Sequence, residues 1–582
     1  MRRSYSQYYQ EELTFLREMG KEFAANYPAL AHYIAEPGSD PDVERLLEGF
    51  AFLTGKIRQK LDDELPELTH TMMGLLYPHY LRAIPSMTIV EFEPQKTLRG
   101  TYLIPRIKTE LDSVPLLSNT KCRFRTCYDV ELQPIVVDDV SITGQQLRIR
   151  FKLLNGVKVS DLSMDKLRIN IHGDPVLQYS LYMLLCRNIQ RIVVAAPDTG
   201  KELILRQSDI KPVGFGDDES LIPYSPNSFI GYRVLQEYFA FPEKFMFIDV
   251  TGLQRLSELG IQETFDFIFH FSRKPDETLR VNKDNIHTNC TPVVNLFSRE
   301  ADPIRIEHNI TEYRIRPEGP NSNYYEVYSV DKVVGLVQGA SRKYDYEPFY
   351  SFRHGISNRD NVYYQTHLRN SIANENTTET YISFVNTDQS VVMPPTETAS
   401  IQLTCINRQL TDQLKLGDIR IPSSTSPEFA RFRNITNVST TIYPSLGGSL
   451  HWKLIAHQSF NRMSIADKEA LCGILALYNF QQSLDRRIAN ENERRLDGIV
   501  SVHGTQKDRI YRGAPIRGTE IQIEMQEDHF AGQGDMYLFA SILNEFLSLY
   551  ANLNSFIQLI VKGTNYGEVY TWQPRIGKQT LL

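Results

Sequence analysis

No stretch of this 582-residue sequence approaches the ~18–20 consecutive apolar residues needed to cross a bilayer. The longest candidate, IQRIVVAAP, is too short and is bounded by Arg187 and Asp198. The N-terminal MRRSYSQYYQEELTFLREMG carries two arginines but no continuous apolar segment after them, so it does not read as a secretory signal. Cysteine is scarce: six residues, which point to a reducing cytoplasm rather than a disulfide scaffold. Excess positive charge is also lacking. The net charge of −7 gives no global attraction to phosphate backbones or anionic lipid, so nucleic acid is not expected as a partner.

Catalytic and cofactor motifs are lacking too. Gly-Lys occurs at Gly20, Gly55, Gly200 and Gly577, never with a glycine five positions earlier or a Ser/Thr after the lysine, so no phosphate-cradling loop exists. None of the thirteen histidines precedes a glutamate, which removes the HExxH zinc helix. Gly447-Gly448-Ser449-Leu450-His451 starts like a nucleophile elbow but ends on histidine, and reads as a polar turn. Cys122 and Cys127 form the one close cysteine pair. Five positions apart on a strand they face opposite sides, so they read as reduced thiols rather than zinc ligands. GFGDDE (214–219) lacks the ligand periodicity of a calcium loop and reads as an acidic turn. Asp528, His529 and Asp535 put acid and base types close together, with Asp535 expected to cap a helix. No catalytic residue, metal or cofactor is expected.

What is present is mostly periodicity. Tyr5, Tyr9, Leu13, Leu16, Met19 and Phe23 share a helical face. Asp40 and Pro41 then open a second helix whose stripe runs through Val43, Leu46, Leu47, Phe50, Leu53, Ile57, Leu61 and Leu65. Pro66 starts a third helical stretch, broken at Pro78. A stripe of this kind must be buried, either in an intrachain core or against a partner chain. Leu46, Phe50, Leu53 and Ile57 are the candidate partner-packing residues.

Beyond about residue 86 the period changes to two. Leu147, Ile149 and Phe151, then Leu167, Ile169 and Ile171, alternate with polar residues as half-buried strands do. Phe265, Phe267, Phe269 and Phe271 share a strand face. Asp174-Pro175 opens a helix through Leu177, Leu181 and Leu184. Near the C-terminus, Trp452 and Leu454 suggest a strand, and Ser464-x-x-Asp467 a capping box. Alternating EIQIEMQ, a helix through Met536, Phe539, Leu543 and Phe546, and FIQLIV predict a strand–helix–strand unit. The expected fold class is α+β and multidomain. An N-terminal helical region (1–88) precedes a β-rich domain with short helices (89–320). A smaller β domain or insertion (321–415) and a mixed α/β domain (416–582) follow.

The segment GYRVLQEYFAFPEKFMFIDV (231–250) holds six aromatic residues in twenty. Tyr232, Leu235, Tyr238 and Phe239 fit a short helix that Pro242 breaks. Phe245, Phe247 and Asp249 then fall on one side of a strand, with Met246, Ile248 and Val250 on the other. A ligand groove would direct its aromatics at one opening. A membrane patch would set lysine and arginine beside them, yet only Arg233 and Lys244 are near. Apolar residues on both strand faces predict a packed helix-to-strand joint.

This segment resembles the central signature of the TssF family of type VI secretion baseplate proteins, through Tyr232, Tyr238, Phe239, Phe241, Pro242, Phe245 and Asp249. YYQEELTFLREMGKEFAANYPALA and DPDVERLLEGFAFLTGKIRQKLDDELPEL resemble that family's N-terminal region. CTPVVNLF (290–297) with ADPIRI resembles its middle. HWKLIAHQSFNRMSIAD, YLFASILNEFLSLYANLNSF and WQPRIGKQTLL, which contains Trp572, resemble its C-terminal region. The run after Trp452 (Gln458, Phe460, Arg462, Met463) and residues 320–400 match more loosely.

The resemblance implies a structural wedge subunit with no enzymatic activity or cofactor. Two copies would join one TssG-type subunit in different surroundings, which implies hinges near 85–90 and 410–425. The wedges would assemble around the spike, connect through a TssK-type adaptor to the envelope complex and prime sheath polymerisation. The implied location is the cytoplasmic face of the inner membrane, touched only through that complex. The competing reading is a β-rich carbohydrate-active enzyme or carbohydrate-binding protein.

Overall fold

The computed structural model describes residues 9–10, 12–16, 19, 41–62, 72–74 and 78–577, except 225–230, 308–309, 338–342, 350–361, 372–376, 387–396, 445–465, 481–484, 512 and 549. The strand expected around Trp452 and Leu454, the turn at 447–451 and most of the first and third helices lie outside these residues. The chain divides into two compact units, residues 1–81 with 445–459, and residues 82–444 with 460–582.

In the first unit the main described element is helix α1, Pro41–Asp62. Proline occupies its first position, where the missing N–H costs nothing. Its stripe lies in the open: Leu46, Phe50, Leu53 and Ile57 are 74%, 57%, 59% and 60% exposed, whereas Ala51 is buried.

The second unit is built on five main sheets. The first is antiparallel throughout, in the order Ile419–Pro422, Glu110–Ser113, Arg123–Thr126, Cys290–Val294, Met87–Pro94, Ala430–Asn434. Met87 opposes Val294, and Val90 opposes Asn434 on the other side. Parts of both segments expected to hinge are thus held in one sheet. Residues 87–94 carry ladders on both edges, and 419–422 bond to 111–113. Hinge motion within 87–94 or 419–422 would break paired backbone groups, whereas the boundary between the two compact units falls at Leu81/Arg82, just before the first expected hinge.

A second sheet runs Lys201–Leu205, Ile189–Ala196, Thr264–Phe271, Gln146–Leu153, Ile135–Thr143. Its alternation is the one expected. Phe265, Phe267 and Phe269 are fully buried, and Phe151 stacks on Phe265 at 5.1 Å. On the opposite face Asp266 receives both Nε and Nη2 of its cross-strand neighbour Arg150, at 2.7 and 2.9 Å. A third sheet orders Ile210–Pro212, Phe247–Thr251, Lys166–Ile171 and Ile286–Thr288.

Helix α2, Pro175–Arg187, follows the third sheet's central strand. Asp174 caps it, accepting from the N–H groups of Val176 and Leu177. An eight-stranded sheet takes in residues from Phe297 to Ile406.

The C-terminal part pairs Ala514–Met525 with Ser555–Gly563 in parallel. The crossover between them includes the helix Gln533–Ser548, because a parallel pair cannot be joined by a tight turn. The chain is therefore α+β, with several sheets and separate helices. Before this unit come helices α4, Lys468–Leu477, and α5, Arg486–Asp497; α3 is Gly231–Ala240 and α6 is Gln533–Ser548. Asp467, expected at the third helical position, is the N-cap of α4 and accepts from the N–H of Ala470; Ser464 lies outside the described residues.

Candidate interaction core around the aromatic segment

Every residue of α3 is buried. Its N-terminal turn seats Tyr232 in an aromatic cluster. The ring lies parallel to Tyr478 at 5.5 Å and 5.7 Å from Phe546, and its hydroxyl shares a 2.9 Å hydrogen bond with that of Tyr550. Tyr238, one and a half turns on, touches Phe239, Phe245 and Phe539. α6 therefore covers α3 along its length. Gly534, in the first turn of α6, meets α2 so closely that a Cβ there would lie 2.1 Å from the Tyr179 carbonyl oxygen.

The last helical bond runs from the Phe241 N–H to the Glu237 carbonyl, and Pro242 stops the helix by lacking an N–H to continue it. Phe241 enters the core shared with Met87, Phe247 and Val294. Phe245, expected in the strand, instead closes a short 3-10 turn, Pro242–Phe245; the strand begins at Phe247. The proline fixes φ for that extra turn before the chain can extend.

Below the aromatics lies a charge network that reading the sequence did not reveal. Lys244 and Glu237 form an ion pair with neither side chain exposed. Glu237 Oε1 also accepts from the N–H groups of Leu221 and Ile222, at 2.7 and 3.2 Å. Lys244 Nζ donates to the Glu219 carbonyl at 3.1 Å. Burial pulls the Lys244 pKa down, and the Glu237 carboxylate opposes that shift. Opposite charges within an otherwise apolar run were the available signal, but their spacing of seven across a proline hid the pairing.

Asp249 is gripped by both Nε and Nη2 of Arg168, at 2.7 and 2.8 Å, its cross-strand neighbour. The acidic turn is tied down in the same way. Glu219 Oε2 accepts from the Gly214 and Gly216 N–H groups, and Arg233 donates to the Gly216 carbonyl at 3.0 Å. Its inward carboxylate serves the turn's own backbone.

The remaining candidates are engaged separately. Asp535 does not cap α6. It lies within the first turn, buried, and accepts from Arg495 Nε and the Ala531 N–H, each at 3.1 Å. Asp528 accepts from the Asn565 amide at 2.7 Å, and His529 Nδ1 lies 3.0 Å from the Arg494 carbonyl. The three form no relay. Cys122 and Cys127 fall in two different cores, and burial pushes each thiol up to about 12. Among the described residues no group of three or more His, Cys, Asp and Glu side chains could hold a metal ion. Trp572 stacks on Tyr537 at 5.8 Å, and its backbone N–H donates to the Leu559 carbonyl at 3.1 Å. With its rings packed against one another in the interior and its carboxylates bound to arginine, lysine and backbone, the segment offers no sugar platform. The carbohydrate reading has no support.

The family described as "Type VI secretion system, TssF" matches residues 1–579. The type VI secretion system component TssF1 of Pseudomonas aeruginosa is 29% identical, over 99% of each chain. Among solved structures, a chain of a TssK-TssF-TssG baseplate subcomplex of the type VI secretion system, determined by cryo-electron microscopy, superposes with a TM-score of 0.78. Its identity is 30%, over 92% of this chain and 100% of that one. A chain of a type VI secretion baseplate complex superposes with a TM-score of 0.66 at 25% identity, over 99% and 100%.

Proposed function

The chain belongs to the TssF family and is a component of the type VI secretion baseplate, and on that premise we propose that it is a wedge scaffold that works by packing and repacking rather than by catalysis. One observation carries the reading: the chain superposes, over nearly its whole length, on a chain from a TssK-TssF-TssG subcomplex. Two copies would combine with one TssG-type subunit, and a TssK-type adaptor would tie the wedge to the envelope complex. Spike and sheath-proximal components would occupy its other faces. Its place would be the cytoplasmic face of the inner membrane, with no span of its own; no described helix is long and apolar enough to cross.

The buried core around α3, with aromatic stacking and paired charges, suits a rigid body that transmits force. The α1 stripe suits the joint: Leu46, Phe50, Leu53 and Ile57 present apolar surface that a partner helix would cover. Firing then requires two arrangements of the ring that differ in interface energy, with spike or sheath contacts favouring one of them. Co-expression with a TssG-type subunit, followed by light-scattering mass of the purified particle, tests this. A particle of two such chains and one partner is expected. A monomer that ignores the partner would overturn the scaffold reading.

A further inference from the structure

Away from this core, a cleft of about 290 Å³ opens between the strand Arg123–Thr126 with its preceding turn and the strand Phe297–Glu300. Its floor is aromatic: Phe297 and Tyr325 are buried and meet edge to face at 5.6 Å. Three cations surround that floor, Lys121, Arg123 and Arg299, with Asn321 beside them.

The cations are not equivalent. Arg123 is satisfied by Asp112, on the same wall, at 2.8 Å and by Glu110 at 3.1 Å. Arg299 is held just as firmly but without an acid. Its guanidinium lies 4.2 Å over the Tyr325 ring, Nη1 donates to the Glu318 carbonyl at 2.6 Å, and Nη2 reaches the Tyr325 hydroxyl at 3.4 Å. Gly319, at a φ of 117°, lets the backbone close behind it; a Cβ there would stand 2.9 Å from Nη1. Among the described residues no carboxylate pairs with Arg299 or with Lys121 at the exposed rim. Orienting a planar fork costs side-chain freedom; three other oriented arginines of this unit, Arg150, Arg168 and Arg495, hold a carboxylate, whereas Arg509 over Phe556 is held without one.

We propose that this cleft receives an acidic side chain carried on an extended segment of a partner protein. The carboxylate would take the free N–H groups of Arg299, with Lys121 adding charge, while its methylene stem and neighbouring backbone cover the Phe297–Tyr325 floor. The charge complementarity favours an anion, and a cleft of about 290 Å³ is larger than a free inorganic anion fills, which favours a carboxylate carried on a peptide. This inference rests on the scaffold reading, since it supplies one of the scaffold's contacts.

The test is an anisotropy titration of the full chain with a fluorescein-labelled, N-acetylated pentaglutamate amide at low ionic strength. Saturable binding is expected, weakened about tenfold or more by Arg299→Gln, as for loss of a charged hydrogen-bonded pair. Arg299→Lys should stay weakened because it keeps the charge and loses the fork. Lys121→Ala, at the rim, should weaken binding without altering the melting temperature, which keeps the result readable if Arg299 variants fold poorly. Absence of binding, equal binding by the variants, or full displacement of the peptide by millimolar inorganic phosphate would overturn the proposal. Co-purification with the TssG-type subunit, scored on the same preparations, separates failure of the cleft from failure of the scaffold.

Discussion

Glu237 and Lys244 close an ion pair across the Pro242 break, and neither side chain has any contact with solvent. A buried pair of this kind is weak support for stability as a whole, because desolvating both charges offsets most of their attraction. Removing one partner is another matter. Lys244→Met leaves the Glu237 carboxylate buried with only two backbone N–H groups, and should cost about 3–5 kcal/mol in urea denaturation. The double variant Glu237→Gln/Lys244→Met should lose much less than the sum of the two single changes. Additive losses would mean that the two charges do not act as a pair.

Tyr232 separates packing from hydrogen bonding at the joint of α3 with α4 and α6. Tyr232→Phe keeps the ring on Tyr478 and loses the bond to the Tyr550 hydroxyl, a cost of about 1 kcal/mol. Tyr232→Ala empties the cluster and should cost about 3–5 kcal/mol. Equal losses in denaturant titrations would show that the hydroxyl, not the stacked ring, holds the joint.

Glu326 predicts a pH dependence. It is buried at the start of a central strand of the eight-stranded sheet, where Thr378 donates to it through both N–H and hydroxyl. Burial raises its pKa from 4.5 to about 6, against the opposing pull of Thr378 and Arg408. A carboxyl with a raised folded pKa contributes stability that is fully present below pH 4.5 and is lost as pH rises through 6. The span corresponds to about 2 kcal/mol. Glu326→Gln should flatten the stability profile in that window and leave the protein more stable at neutral pH. An unchanged slope would remove Glu326 as its source.

Phe50 distinguishes the two uses of the α1 stripe. Phe50→Asp should abolish co-purification with the TssG-type subunit. Because the ring is exposed in the chain alone, the melting temperature of the isolated protein should move little. A large fall in melting temperature would place the stripe in an intrachain core instead.

Local patterns carried much of the fold. Asp174-Pro175 announced α2 through its cap, and the alternation of Phe265, Phe267, Phe269 and Phe271 announced a strand with one buried face. The aromatic segment could be read as a helix, a proline break and a strand covered on both faces. Less was legible where geometry depends on a single turn. Phe245 fell in a 3-10 turn, and Asp467 proved to be a cap rather than the third helical residue. Periodicity is blind to shifts of one or two residues at element ends.

By itself, then, the sequence determined element types, the absence of known catalytic motifs and, through landmarks spread along nearly the whole chain, the family. These properties are written in neighbouring residues, whose side chains repeat with the period of their own backbone. Only the tertiary structure decided that residues 87–94 lie between 290–294 and 430–434, that Glu237 meets Lys244, and that Arg299 is oriented with no carboxylate paired to it among the described residues. Each of these is a meeting of segments or charges whose partners no local spacing specifies. Burial then makes the meeting matter, since a charge or a backbone group removed from water must find its counterpart wherever the chain supplies one.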